Sequence, residues 1–506
     1  MHSWLNRTAR DERGSITLLF AFGLATALIL VGFAVDVGTA VRTRLRLQNG
    51  LDGAVLAASN VAVADDQRQS KFDSFLAANV QGKLGTIDSK NFVYNAGTGG
   101  TGTASLSIPT TFLRLIGVKN ITVKTSATAY MAAIDLEVVF ALDISGSMQF
   151  NDMGGGSRLN ALKSSVSKMV DIIMQNKTAS QKVKFAMVPF NMAVNIGTDN
   201  IGIVDDTSNP LFNGTTWAGC VLERRGAYAS TDDYSAGASN GSGRWQAYIW
   251  PPAPNGSGRC LNKSNGTNSG YSSVEPAPLG TDPWMDGPNF NCPRYPMQRL
   301  TSSDSDIVSA VNGLQAYGNM GTTVGPAVGW AMRILSPTGP FAEGAPFDGK
   351  TRKIIIVVTD GEMVTDGMSC AGATNTVESY KFDPSKLQLD GRVLTSAPTN
   401  DSFTPYGYLQ DSDPYNRGLV SALDANKELD RLSVAACDAA KSRSSQYPIE
   451  VFTIAASTGA GPGTRAETVL SKCASNGNFY YAADSTSLDE AFAKIAGEAL
   501  RLRITK

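Results

Sequence analysis

At 506 residues the chain is too long for one ordinary core, and length alone implies about two to four folded units. With 44 Lys+Arg against 45 Asp+Glu its charges nearly cancel, so it lacks the field that would mark nucleic acid as a partner. The single histidine is His2, ahead of the first hydrophobic segment; no Ser-His-Asp or Cys-His arrangement and no imidazole-built zinc site can form in the folded part, and any metal must be held by oxygen or sulfur.

Ser15 to Val35 reads SITLLFAFGLATALILVGFAV, uncharged and about the length of a membrane-crossing helix. A secretory signal peptide would carry a shorter apolar run, so a retained anchor is the preferred reading: a tail over 1–14 and a transmembrane helix over 15–36. Arg7, Arg10 and Arg13 before the span are matched by Arg42, Arg44 and Arg46 after it, which leaves orientation tied. Cys220, Cys260, Cys292, Cys370, Cys437 and Cys473, even in number and widely spaced, fit structural disulfides in an oxidising compartment and favour a cytoplasmic tail with the bulk of the chain outside. Val37, Val41, Leu45, Leu51 and Val55 keep helical spacing, predicting an amphipathic helical stalk over 37–80. A small β-rich segment over 81–132 follows, with strands at Ala104–Ile108 and Ile121–Ala129.

From Leu136 apolar strands alternate with helix-length amphipathic segments, which predicts an α/β unit over 133–506 with a doubly wound, mostly parallel sheet. Strands are expected at Leu136–Ile144, Val183–Phe190, Ile354–Thr359, Glu450–Ala455 and Phe479–Ala482, and helices at Arg158–Met174, Lys427–Arg443 and Ser487–Arg501. Two insertions interrupt the pattern, about 198–299 and about 362–426. Ligands of such sheets bind beyond the carboxyl ends of the strands. There stand Asp143-Ile-Ser145-Gly-Ser147, Gly321-Thr322-Thr323 and Thr359-Asp360-Gly361-Glu362, carboxylates and hydroxyls that suit a hard divalent cation such as Mg²⁺, with Mn²⁺ or Ca²⁺ as alternatives. The competing reading is that Asp143 and Asp360 merely cap loops and helices.

Two resemblances follow from these residues. The run from Arg13 to Ser59, with its Arg-Gly, apolar stretch, Val-Asp-x-Gly and Leu-Gln, resembles the amino-terminal module of TadG-type Tad (Flp) pilus-assembly proteins. Processed relatives carry a glutamate shortly after the cleavage glycine, where this chain has Leu19. Asp-x-Ser-x-Ser, GTTVGPAVGW and VVTDG, in that order, resemble the three loops of the metal-ion-dependent adhesion site of von Willebrand factor A (vWA, Rossmann-like) domains. That resemblance implies direct metal ligation by Ser145 and Ser147, ligation or water orientation by Asp143 and Asp360, and a switchable hydroxyl at Thr322, with Thr323 as the fallback. It further implies a partner whose acidic residue completes the metal's coordination, and no enzyme activity.

The first insertion carries Trp217, Trp245, Trp250 and Trp284 among Gly, Asn and Ser, which reads equally as a binding surface or as a disulfide-pinned loop with a small core. Trp217, Trp245, Trp250 and Glu362 are the candidate partner-binding residues. In the second insertion Asp401, Asp411 and Asp413 are weak candidate cation ligands. Gly344 to Thr351 satisfies the phosphate-loop expression but precedes a strand and contains Pro346, and Gly97 to Gly102 satisfies the dinucleotide expression inside a turn-rich strip; neither is read as a site. The expected protein is a single-pass bacterial inner-membrane protein, periplasmic or extracellular in bulk, that serves Tad/Flp pilus assembly, anchoring or cell adhesion. Its partners are other pilus-assembly proteins or pilins. The alternatives are a scaffold in which metal only stiffens loops and, further off, a metal-assisted hydrolase using Glu362 or Asp366 as base.

Overall fold

The computed structural model describes residues 13–60, 63–80, 86–131 except 97, 134–205 except 155, 207–208, 216–234 except 225, 243–248, 252–253, 261–262, 289, 291–316, 321–364, 403–408, 422–500 and 502–505. It divides into two units, Met1–Ala132 with Leu500–Lys506, and Ala133–Ala499. The chain's end thus returns to the first unit.

In the first unit helix α1 (Arg13–Ser59) is followed by α2 (Asp65–Val80) and strands β1 (Thr86–Asn95), β2 (Gly99–Pro109) and β3 (Asn120–Met131). The last strand of the chain, Leu502–Thr505, adds to β3, and all pairings in this sheet are antiparallel. Leu47, Leu51, Ala54, Val55 and Ala58 of α1 share one core with Phe72, Leu76 and Val80 of α2 and with Phe92, Leu106, Val123 and Ala127 of the sheet. The expected amphipathic helical stalk over 37–80 falls in these two helices, which turn an apolar face onto the sheet. Helix and strand approach so closely that a Cβ on Gly102 would sit 2.4 Å from Val55 Cγ2, which only glycine permits. Buried Arg68 closes the helical hairpin by donating to the carbonyls of Ala58 (2.9 Å) and Asn60 (2.7 Å).

Among the described residues no helix is long and apolar enough to cross a membrane. The segment 15–36 is instead the first part of the 47-residue α1. Asp36, the last residue of that segment, is buried inside the unit, where the amides of Leu113, Thr111 and Phe112 hold its carboxyl below the ordinary aspartate range.

The second unit opens with β4 (Asp135–Asp143), α3 (Arg158–Asn176) and β5 (Val183–Phe190). The first insertion contributes β6 (Val204–Asp205), β7 (Val221–Leu222) and β8 (Trp245–Ala247), and then come β9 (Gln298–Thr301), α4 (Asp304–Gly313), α5 (Val324–Leu335) and β10 (Thr351–Thr359). Beyond the second insertion lie α6 (Ala422–Ser442), β11 (Glu450–Ala455), α7 (Arg465–Cys473), β12 (Phe479–Tyr481) and α8 (Ser485–Leu500), with β13 (Leu502–Thr505) the strand already placed in the first unit. Six strands form one sheet in the order β9-β5-β4-β10-β11-β12.

This corrects the expectation of a doubly wound, mostly parallel α/β fold behind a transmembrane helix. The six-stranded sheet is itself mixed, because β9 pairs antiparallel with β5. The described residues also hold an antiparallel four-stranded sheet, a mixed three-stranded sheet β6-β8-β7 and two-stranded ladders, so among them helices stand beside several sheets, mixed and antiparallel.

Disulfides Cys220–Cys292 and Cys437–Cys473 are present, and Cys260 and Cys370 fall outside the described residues. The first of these pins the insertion, whose Trp217, Cys220, Val221 and Trp245 join the core of the unit. The phosphate-loop match is filled from within: the Ala345 amide donates to both carboxylate oxygens of Glu137 (3.0 and 3.1 Å), where a phosphate would meet repulsion.

Candidate metal centre

Strand β4 is buried along nearly its whole length and delivers Asp143 as its last residue, wholly buried at the carboxyl edge. The chain then turns through a short 3₁₀ segment, Gly146–Gln149, capped by Ser145. Parallel to β4, β10 ends at Thr359 and places Asp360 beside it. These two adjacent strand ends make the site.

Four expected residues are brought together by hydrogen bonds. The Ser145 amide donates to Asp143 Oδ1 at 2.7 Å, Ser145 Oγ lies 3.2 Å from Ser147 Oγ, and Ser147 Oγ donates to Asp360 Oδ1 at 2.7 Å. The fifth, Thr322, arrives through the backbone: it forms an antiparallel bridge with Val364 (N to O 2.9 Å), four residues beyond Asp360, while the Thr323 amide donates to the carbonyl of Asn191, just past β5. The Thr323 hydroxyl is buried and has no hydrogen-bond partner among the described residues.

Sequence reasoning missed several members. Thr359 Oγ1 donates to Asp143 Oδ2 at 2.6 Å. Arg158, the first residue of α3, donates from one guanidinium nitrogen to Asp360 Oδ2 at 2.6 Å and from Nε to Asp152 Oδ1 at 2.8 Å. A signal for Arg158 existed: a cation at a helix amino terminus opposes the helix dipole and needs acidic company. Hydrogen bonding to Asp152, then to Asp360, raises the Arg158 pKa further, while Arg158 lowers that of Asp152.

Electrostatically the site is unbalanced. Burial, reinforced by the like charge of Asp360, pushes the Asp143 carboxyl up to about 7 even though Thr359 and Ser145 hydrogen-bond its charged form. Asp360 has Arg158 as a cationic partner at 2.6 Å, so the strained member of the pair is Asp143. Among the described residues no cluster of three or more His, Cys, Asp or Glu side chains could hold a metal, so a cation here would depend on two carboxylates supplemented by hydroxyls and water. That donor set fits Mg²⁺ or Mn²⁺, which need few protein ligands, better than Ca²⁺, which takes more oxygens. The unpartnered Thr323 hydroxyl is a spare oxygen near the same edge.

The partner-binding candidates are corrected in part. Trp245 is fully buried, with its ring 4.8 Å from that of Trp330, and Trp217 is buried with its Nε1 donating to the Cys220 carbonyl at 2.6 Å. Rings that fill a core present no surface to a partner. Trp250, Asp366, Asp401, Asp411 and Asp413 lie outside the described residues. Glu362 is at the metal edge, partly exposed and paired with Arg465 at 3.2 Å.

Residues 14–65 match the family model described as putative Flp pilus-assembly TadE/G-like. No curated protein matches the chain. Among solved structures the chain is similar to the pilus adhesin SpaC from Lactobacillus rhamnosus GG (12% identity, TM-score 0.35, covering 82% of this chain and 34% of that one). It is also similar to the PilB minor pilin from Streptococcus sanguinis (13% identity, TM-score 0.33, 81% and 77%). A third similarity is to the vWF domain of the type V pili tip protein Mfa5 from Porphyromonas gingivalis (12% identity, TM-score 0.33, 72% and 95%). At these TM-scores none of the likenesses establishes a shared fold, and the chain spans about a third of the length of SpaC, 34%.

Proposed function

We propose that this chain serves Flp pilus assembly, anchoring or adhesion by binding a carboxylate of a pilus component at a divalent-metal site of the von Willebrand factor A type. The observation that carries the reading is the hydrogen-bonded cluster Asp143–Ser145–Ser147–Asp360 at the ends of β4 and β10, in which Asp143 is wholly buried beside the like charge of Asp360. The pilus context is supported by the match over 14–65. The two disulfides support an oxidising compartment outside the cytoplasm.

Ser145, Ser147 and Thr322 would hold Mg²⁺ or Mn²⁺, and Asp143 and Asp360 would hold it or orient its waters. The ion would supply one open coordination position for a partner's carboxylate. Thr359 and Ser145 fix Asp143 so that its lone pairs stay aimed at the edge, and Arg158 fixes Asp360. This is binding without turnover.

The test is capture of pilus components by the chain with Mg²⁺ or with EDTA, beside Thr322→Ala. The Thr322 amide and carbonyl hold Val364 through the backbone alone, so the substitution should change stability by less than ~1 kcal/mol. Capture should need metal and vanish in Thr322→Ala; equal capture in EDTA would replace this reading by the scaffold.

One observation favours that scaffold: Arg158 already supplies a positive charge to Asp360. Arg158→Gln separates the two. Removing one partner of so buried a pair should cost ~3 kcal/mol in EDTA. If the site is built for a cation, the variant should also bind Mn²⁺ at least severalfold tighter by calorimetry, with unchanged or weaker binding favouring the scaffold.

A further inference from the structure

The turn between β2 and β3 combines exposed apolar side chains with a backbone that does not need water. Leu115 is 82% and Ile116 59% exposed, and Phe112 and Val118 beside them are exposed as well. Their amides are nevertheless spoken for. Those of Thr111, Phe112 and Leu113 donate to the Asp36 carboxylate at 3.0, 2.8 and 2.7 Å. The amide of Thr110 donates to the Lys119 carbonyl, Leu115 to Phe112, Gly117 to Arg114 and Val118 to Leu113. Gly117, at φ +94°, lets the chain reverse so that these bonds close.

A turn whose amides are largely satisfied internally is compatible with a medium that offers no hydrogen-bonding partners. In a medium without hydrogen-bonding partners each unsatisfied amide costs several kcal/mol. The same turn packs Phe112 onto Gly32 of α1, where an added Cβ would fall 2.5 Å from the Phe112 Cβ. That contact joins it to Leu30, Val31, Phe33 and Val35, which are also exposed. Between Pro109 and Asn120 the charged residues are Arg114 and Lys119, with no acidic residue among them. An apolar tip with basic flanks complements the acyl boundary of an anionic bilayer. In a two-fold contact with a second copy, the same basic residues would face each other.

We propose that the 112–118 turn, together with the adjoining exposed stretch of α1, seats in a lipid surface with Phe112, Leu115, Ile116 and Val118 in the acyl boundary and Arg114 and Lys119 among anionic headgroups. The inference is independent of the metal site.

The test uses the full chain with Ile116→Cys carrying an environment-sensitive fluorophore, and a second copy labelled at Asp304→Cys in the other unit. Vesicles of phosphatidylglycerol and phosphatidylcholine should shift the Ile116 label to the blue with a severalfold rise in intensity and leave the Asp304 label unchanged. Leu115→Asp combined with Ile116→Asp, which leaves every backbone bond in place, should lower vesicle co-flotation at least fivefold. Absence of a shift with any vesicle would overturn the proposal. So would a shift that grows with protein concentration in the absence of vesicles, since that signals a second copy. A response as large on phosphatidylcholine alone would overturn the role given to Arg114 and Lys119.

Discussion

Asp143→Asn is expected to make the metal-free protein more stable at pH 8 and, on the function proposed above, to abolish binding of Mg²⁺ and Mn²⁺. The aspartate ionises near 3.8 when unfolded and is pushed up to about 7 in the fold, chiefly by burial and then by Asp360. Between those values the unfolded chain sheds its proton and the folded one keeps it, so stability falls as pH rises from about 4 and levels off above about 7. At roughly 1.4 kcal/mol per pH unit the full penalty is on the order of 4 kcal/mol. Asparagine carries no such penalty. Its oxygen can still accept from the Ser145 amide, and its amide can donate to Thr359 Oγ1, so both contacts survive. The melting temperature of the native chain in EDTA should therefore decline between pH 5 and pH 8, and that of the variant should decline less, by the share that half-buried Asp430 and Glu343, also raised, still contribute. Adding Mn²⁺ at pH 8 should raise the first and not the second. A variant that melts below the native chain at pH 8 in EDTA would mean that the hydrogen bonds of Asp143 outweigh its burial, and the electrostatic argument for a cation would go with it.

That site was legible in sequence to the extent that its chemistry is local. Asp143, Ser145 and Ser147 fall within five consecutive residues, and a buried strand running into oxygen ligands stands out against its apolar approach. Arg158 could be read as needing acidic company but not as the partner of Asp360, which lies 202 positions on and comes near only once β4 and β10 pair and α3 follows β4. The same distinction runs through the fold. Strands β4, β5, β10 and β11 announce themselves as continuous apolar runs because both their faces are covered. Strand β1, with Phe92 as its main core contribution, offers no such run, and the four-residue edge strand β9, with no fully buried side chain, offers still less. Its antiparallel direction is what makes mixed a sheet expected to be mostly parallel. The tryptophans were ambiguous for a further reason: rings in a Gly- and Ser-rich stretch have the same composition whether they face solvent or core. What decides Trp245 is Trp330 in α5, brought against it by tertiary packing.

Glu223→Gln is expected to be among the most destabilising single changes in the second unit. Glu223 accepts from two Arg333 guanidinium nitrogens at 3.3 and 3.0 Å, and the two side chains are 2% and 0% exposed. A second buried guanidinium, Arg224, lies 4.1 Å from the Trp245 ring, and burial followed by repulsion from Arg333 pulls its pKa down to about 9. The glutamate therefore offsets two cations that already strain against each other. Neutralising it keeps the shape of the side chain but leaves both guanidinium groups short of charge, which for a broken buried pair costs about 3–5 kcal/mol. Urea denaturation should show the midpoint falling with little change in slope. Because a broken pair is worse than an absent one, adding Arg333→Met should recover part of the loss, a coupling of ~1–3 kcal/mol in the double-mutant cycle. A loss below ~1 kcal/mol in Glu223→Gln would instead assign the compensation to Asp232, which is already shared with Ser336 and Arg443. Either result bears on the first insertion as a whole, since Glu223, Arg224 and Trp245 all come from it, and a large loss would make it part of the core that holds the metal edge in place.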